Sequence, residues 1–129
     1  METKQVIVVR KDLKWVGWGK LMAQVAHASM AAAITNNLDD KDKIKWSFYP
    51  TTGIRNWLNN AFTKICVWAD DEEHLLKIYN QAKDAGIPCS LIQDNGRTVF
   101  KGVPTYTTVG VGPDEISKID KITGGLRLI

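Results

Sequence analysis

Three side chains near the start of the chain, Lys20, Gln24 and His27, have types and spacing that suit chemistry on an anion. At about 100° per helical residue, Gln24 lies roughly 40° from Lys20, and His27 about 20° on the other side. The three therefore form one narrow polar stripe. Leu21, Met22, Val25, Ser29 and Met30 take the other sides, and Ala23 and Ala26 leave room for close approach. A lysine in a first helical turn opposes the helix dipole, yet it adds to a local positive potential that suits an anion or a developing oxyanion. Gly17 and Gly19, just before it, would let a ligand approach the backbone. The bland alternative is a glutamine and a histidine satisfied by nearby backbone, with Lys20 in solvent.

A second polar concentration is "IQDNGRTVFKG", residues 92–102, which packs Asp94, Asn95, Gly96, Arg97, Thr98 and Gly102 into one stretch between apolar runs. Alone, Asp-Asn-Gly is an ordinary turn, because short polar side chains bond their own backbone.

The elements that must position these residues read as follows. "QVIVVR" (5–10) is a continuous β-branched run, hence a buried strand. Residues 19–37 read as a long helix whose alanines favour close packing on a sheet, with Asn36 and Asn37 as stop signals. Residues 62–69 form a second strand. The helix over 70–86 opens on a capping box of Asp70 and Glu73 and ends at Gly86 before Pro88. Residues 88–93 and 105–112 are the third and fourth strands. Pro113 with Asp114 and Glu115 opens a short last helix that stops before Gly124, and "LRLI" is an extended tail. Strand-helix-strand repeats imply parallel pairing, and the short third connection implies an antiparallel or edge arrangement. The expectation is a single α/β domain over 1–129, with a mixed sheet of about four strands flanked by helices. Residues 38–61 are the least readable part: a charged patch, then a loop leading into a short helix near 54–60.

The chain has 129 residues, 44% hydrophobic and 24% charged, which suits one globular domain with a core that needs no staples. A net charge of +3 does not by itself indicate nucleic acid, so any anion-binding surface must be assembled by folding. Cys66 and Cys89 each sit in an apolar run and read as buried reduced thiols. With two histidines and no zinc spacing, no metal site is expected. The N-terminal apolar run is too short for a signal peptide or membrane span, so a cytoplasmic protein with no membrane association is expected. Of five tryptophans, some are expected in the core and some at a binding or oligomer surface. A homodimer is left open. No G-x-G-x-x-G follows a strand and no Walker A is present, which disfavours a nucleotide-handling domain.

"VIVVRKDLKWVGWGKLMAQVAHASM" resembles the opening signature of the archaeal and eukaryotic class of peptidyl-tRNA hydrolases, on Arg10, Asp12, Leu13, Gly19, Lys20, Ala23, Gln24, His27 and Ala28. The family's Asp-Ala-Gly-Arg-Thr is matched by Asp94, Asn95, Gly96, Arg97 and Thr98, with asparagine where the family has alanine. "VGVGP" (109–113) and "IDKITGGLRL" (119–128) match its closing segment. The resemblance covers most of the chain outside 38–61. It implies an α/β fold with a mixed four-stranded sheet, and hydrolysis of the ester joining a peptide to the tRNA 3′ end, without metal or organic cofactor. Eukaryotic members often carry a membrane anchor, so a prokaryotic or viral type is expected.

Ester hydrolysis needs an oriented water, a group to take its proton, and donors for the oxyanion. With the resemblance, Asp94 becomes the candidate to orient or deprotonate water. Lys20 would hold Asp94 ionised, bind the phosphate or ribose region, or stabilise the oxyanion, and Thr98 would donate to water or carbonyl. Gln24 and His27 would position substrate or Lys20, with His27 second to Asp94 as a base. No nucleophile elbow is present, so a covalent acyl-enzyme is not expected. For the tRNA, Arg10, Lys11, Lys14, Arg97 and Lys101 could form a basic rim, with Asn95 beside it. Trp15 and Trp18 could stack on terminal bases or pack on the sheet end or a partner. The alternative is a non-catalytic tRNA- or protein-binding member of the same fold, motivated by Asn95 and the unusual 38–61 segment.

Overall fold

A computed structural model describes residues 1–39 and 47–129. Most of the charged patch at 38–46, with Trp46, lies outside them.

The elements in order are β1 (Thr3–Arg10), a 3₁₀ turn (Lys11–Val16), α1 (Trp18–Ala33), a 3₁₀ turn (Thr35–Asn37), α2 (Thr52–Asn59), β2 (Lys64–Ala69), α3 (Glu72–Asp84), β3 (Cys89–Asp94), β4 (Thr105–Glu115) and α4 (Ile116–Thr123). The strands form one sheet in the order β2-β1-β4-β3. β1 is parallel to β2 and antiparallel to β4, and β3 is antiparallel to β4. The mixed four-stranded α/β sheet is as expected, and the parallel pair is the one joined through a long crossover.

The β-branched run of β1 is buried on both faces. Val6 and Val8 point into a core closed by Leu75, Ile78 and Ala82 of α3 and Ile119 of α4. Ile7 and Val9, one residue out of phase, meet Leu21 and Ala28 of α1 on the other face. There α1 lies very close to β4. A methyl group at Gly110 would sit 2.6 Å from the Ala28 carbonyl oxygen and 3.0 Å from the Ala32 Cβ. The Ser90 hydroxyl bridges this contact, donating to Ala28 O at 2.8 Å and accepting from Gly110 N at 3.2 Å.

Several boundaries differ from expectation. α1 ends at Ala33 rather than 37, where the Asn37 side chain donates to the Ala32 and Ala33 carbonyls. The cap of α3 is Asp71, not Asp70. Asp71 Oδ1 accepts from His74 N at 2.9 Å, while the Asp70 N–H donates to His74 Nδ1. β2 ends at Ala69, so the chain spends one more residue turning before it can cap. Pro113 does not open a helix, because β4 runs on to Glu115, pairing Asp114 and Glu115 with Lys4 and Thr3. The ladder shifts register between Lys4 and Val6, the kind of irregularity where a residue without an N–H is tolerated. The C-terminal residues are not a free tail: Leu128 bridges Val67 along the outer edge of β2. The two thiols are half-buried rather than buried, and loss of water still raises both pKa values.

The Gly110 contact is testable. Gly110→Ala is expected to lower stability by about 1–3 kcal/mol in urea unfolding, the usual cost of overpacking against backbone that cannot move away. An unchanged midpoint would show that α1 can retreat.

Candidate active site

Lys20 is the third residue of α1, and no side chain caps the helix at Gly17. Gly17 has a left-handed φ of +90°, which glycine adopts without strain. No acidic residue occupies the first turn. The N-terminal N–H groups and the Lys20 ammonium therefore add as positive potential at one end of α1.

Asp94 is the last residue of β3 and meets that end. Lys20 Nζ donates to Asp94 Oδ2 at 2.7 Å and to Thr98 Oγ1 at 3.0 Å. One turn along α1, Gln24 Nε2 donates to the same Asp94 oxygen at 3.2 Å. The second oxygen, Oδ1, accepts from Gly96 N at 2.8 Å, a bond from the turn itself. Gly96 has a φ of +82°, and a Cβ there would collide with the Val103 backbone, so the turn closes only on glycine. Phe100 is buried beneath, its ring centre 5.9 Å from Lys20 Nζ, and Trp15 meets that ring edge-on at 5.8 Å.

The side chains of Lys20 and Asp94 are 20% and 11% exposed, so the ion pair is partly withdrawn from water but open on one side. The Lys20 hydrogen bond holds the Asp94 carboxyl below the usual aspartate value, overcoming desolvation that acts the other way, with help from Gly96 N and Gln24. A carboxylate held this firmly ionised is a weak base but a strong, fixed acceptor.

Of the residues expected to act, Lys20, Gln24, Asp94 and Thr98 come together. The stripe on α1 divides, with Gln24 buried while His27 is exposed and makes none of the hydrogen bonds or ion pairs of the site. Asn95 and Arg97 are exposed on the turn, where Asn95 Oδ1 accepts from Arg97 N at 3.0 Å. Arg10 is not in the cluster. Its guanidinium forks onto Asp12 at 3.0 and 2.8 Å and donates to the Tyr106 carbonyl at 3.0 Å, which holds the turn over 11–16 against β4. Asp12 above all raises its pKa further. Lys11 is half-buried at the start of that turn, and Trp15 and Trp18 are each 64% exposed. Two residues of the network escaped the sequence reading. Thr107 Oγ1 donates to Gln24 Oε1 at 2.6 Å, and Thr108 Oγ1 donates to the Gln24 carbonyl at 3.0 Å. The only signal for them was a run of hydroxyls in an otherwise apolar strand. Among the described residues, no three His, Cys, Asp or Glu side chains gather as a metal-binding group, and no helix is long and apolar enough to cross a membrane.

The ion pair has a measurable consequence. Because the folded protein favours ionised Asp94, the pair contributes stability above the unfolded-chain pKa, and loses it as pH falls through the lower folded value. Asp94 is expected to titrate below 3.8 by carboxyl carbon NMR, and to move upward in Lys20→Met. A midpoint that stays put would mean that another group holds the carboxylate.

The family model of peptidyl-tRNA hydrolase PTH2 matches residues 3–129. A peptidyl-tRNA hydrolase of Methanocaldococcus jannaschii is 40% identical over 126 residues, covering 98% of this chain and 99% of the relative. That of Methanothermobacter thermautotrophicus is also 40% identical with the same coverage, and that of Thermococcus sibiricus is 39% identical over 127 residues, covering 98% and 97%. A solved structure of a protein of unknown function from Agrobacterium shares the fold, with a TM-score of 0.55 at 17% identity, over 100% of this chain and 98% of that one. From end to end the match leaves one assignment: this chain belongs to the PTH2 family of peptidyl-tRNA hydrolases.

Proposed function

We propose that this protein hydrolyses the ester between peptide and tRNA in peptidyl-tRNA, with Asp94, Lys20 and Thr98 as its catalytic groups. The observation that carries the reading is the convergence of these three side chains at one open helix end, through the two bonds from Lys20 Nζ. Family membership supports the substrate class.

Water is the nucleophile. A carboxylate can accept about four hydrogen bonds, and Asp94 takes three from Lys20, Gln24 and Gly96, which leaves Oδ1 able to orient a water. Its depressed pKa favours orienting and polarising that water over taking its proton outright. The water oxygen attacks the ester carbonyl carbon. Charge develops on the carbonyl oxygen, where the Lys20 ammonium can receive it. Thr98 Oγ1 accepts from Lys20, so its own hydroxyl hydrogen is directed elsewhere and can donate to the same oxyanion. Collapse breaks the bond to the ribose oxygen, which takes one of the water's two protons, and the other is released to solvent. The products are free tRNA and a peptide carboxylate.

The openness of the site fits a macromolecular substrate. Asn95, Arg97 and Thr98 are exposed around the ion pair, and Lys101 follows on the same loop. Arg97, Lys101 and Lys11 would meet phosphates, and the Trp15 ring, seated on Phe100, would offer a stacking face to a terminal base.

Purified protein with a peptidyl-tRNA is the direct test. Free tRNA should be released, and Lys20→Ala and Asp94→Asn should each slow release by about 100-fold or more, roughly 2.7 kcal/mol of transition-state stabilisation. Wild-type rates in both variants would sink the site assignment. Tight, salt-sensitive tRNA binding without release would favour a non-catalytic binding member of the fold.

A further inference from the structure

β3 and β4 pair regularly from Cys89–Val111 to Ile92–Thr108, and then the register shifts, so that Gln93 faces Tyr106 and Asp94 faces Thr105. Thr107 is the extra residue, with no partner on β3. In a regular strand, neighbouring side chains leave on opposite faces. A bulge breaks that alternation and re-aims a side chain. Here the Thr107 and Thr108 hydroxyls both reach one residue of α1, Gln24, the first on its side-chain oxygen and the second on its backbone oxygen.

We infer that Thr107 is a positioning residue of the hydrolytic site, whose hydroxyl fixes the Gln24 amide with its NH2 end toward Asp94. This rests on the catalytic role proposed for Asp94. The amide has one donating and one accepting end, and the two can exchange by a half-turn. Ionised Asp94 only accepts, so the productive orientation puts Nε2 on Oδ2, at 3.2 Å. The reversed orientation would set two acceptors against each other. Gln24 is 2% exposed and Thr107 is 1% exposed, so water is poorly placed to satisfy a reversed amide. With Nε2 on Asp94, Gln24 Oε1 faces Thr107, and only a donating hydroxyl matches it, at 2.6 Å. Every member of the chain Thr107–Gln24–Asp94 thus has one consistent direction of donation, and its origin is the bulge. Thr107 acts through Gln24 and does not meet the ester.

Thr107→Val keeps the branched shape and removes the donor. It is expected to lower kcat about tenfold, the scale of one hydrogen bond to a charged group, with little change in KM. It should also raise the NMR titration midpoint of Asp94, because a donor to the ionised form is no longer held in place. Thr107→Ser should restore both. In a Gln24→Met background, Thr107→Val should cause no further loss of kcat, since the route through the amide is already gone. Where valine disturbs the sheet, Thr107→Ala supplies the same readings without bulk. A folded Thr107→Val or Thr107→Ala protein with wild-type kcat and Asp94 midpoint overturns the inference, as does a loss in the Gln24→Met background equal to that in wild type. Lys20→Ala and Asp94→Asn run in the same assay separate the two levels. If they retain full rate, the site reading fails and takes this inference with it. If they lose activity while Thr107→Val does not, only the role of Thr107 fails.

Discussion

A carboxylate drawn most of the way out of water must find a counter-charge and enough donors, or it will not stay ionised. Asp94 meets this demand from separate parts of the chain. Lys20 lies 74 residues away and Gln24 70, while Gly96 is its near neighbour. None of these can be moved alone. The depth at which α1 lies on the sheet sets the reach of Lys20, and that depth is set in turn by the bare backbone of Gly110 and the buried alanines facing it. The geometry of the candidate site is therefore a property of sheet packing as much as of the loop that carries Asp94.

The cations divide by what holds them. Arg10 is engaged by Asp12 and by the Tyr106 carbonyl, and its work is to lock the turn that leads into α1. Lys20 is tied to Asp94 and Thr98 but keeps an open side. Arg97 is exposed on the turn. Of the expected basic rim, Arg10 is thus a structural charge, while Arg97 and Lys101 are exposed and Lys11 is half-exposed, and Lys20 belongs to the ion pair itself.

Much of the architecture was legible because it rests on local rules. The continuous β-branched run of β1 announced burial on both faces, and the alanines of α1 announced close approach. Errors came where two local solutions compete. The acid run at 70–73 allows two capping registers, and the length of β2 chose Asp71. Pro113 suits a first helical turn, but Thr3 and Lys4 offered more strand pairing, and they won. In the site, helical angles grouped Lys20, Gln24 and His27. Angle alone cannot say how far along a helix the opposing loop extends, and the first two reach Asp94 while His27 stays in solvent. Thr107 was hidden for a stronger reason: its direction comes from a bulge between strands, and single-strand periodicity assigns it to the other face.

The place of β1 at the centre of the sheet carries a kinetic meaning. Its first residues, Thr3 and Lys4, pair with Glu115 and Asp114, so the middle of the sheet joins segments far apart along the chain. A ribosome delivers the chain from its N-terminus, and β1, with both faces apolar, emerges long before β4 exists to cover its edge. The crossover to β2 can be made earlier, but the ladder with β4 must wait until Glu115 has been made. The central pairing of the sheet is therefore non-local, the kind of contact that slows folding because a long loop must close before it is rewarded.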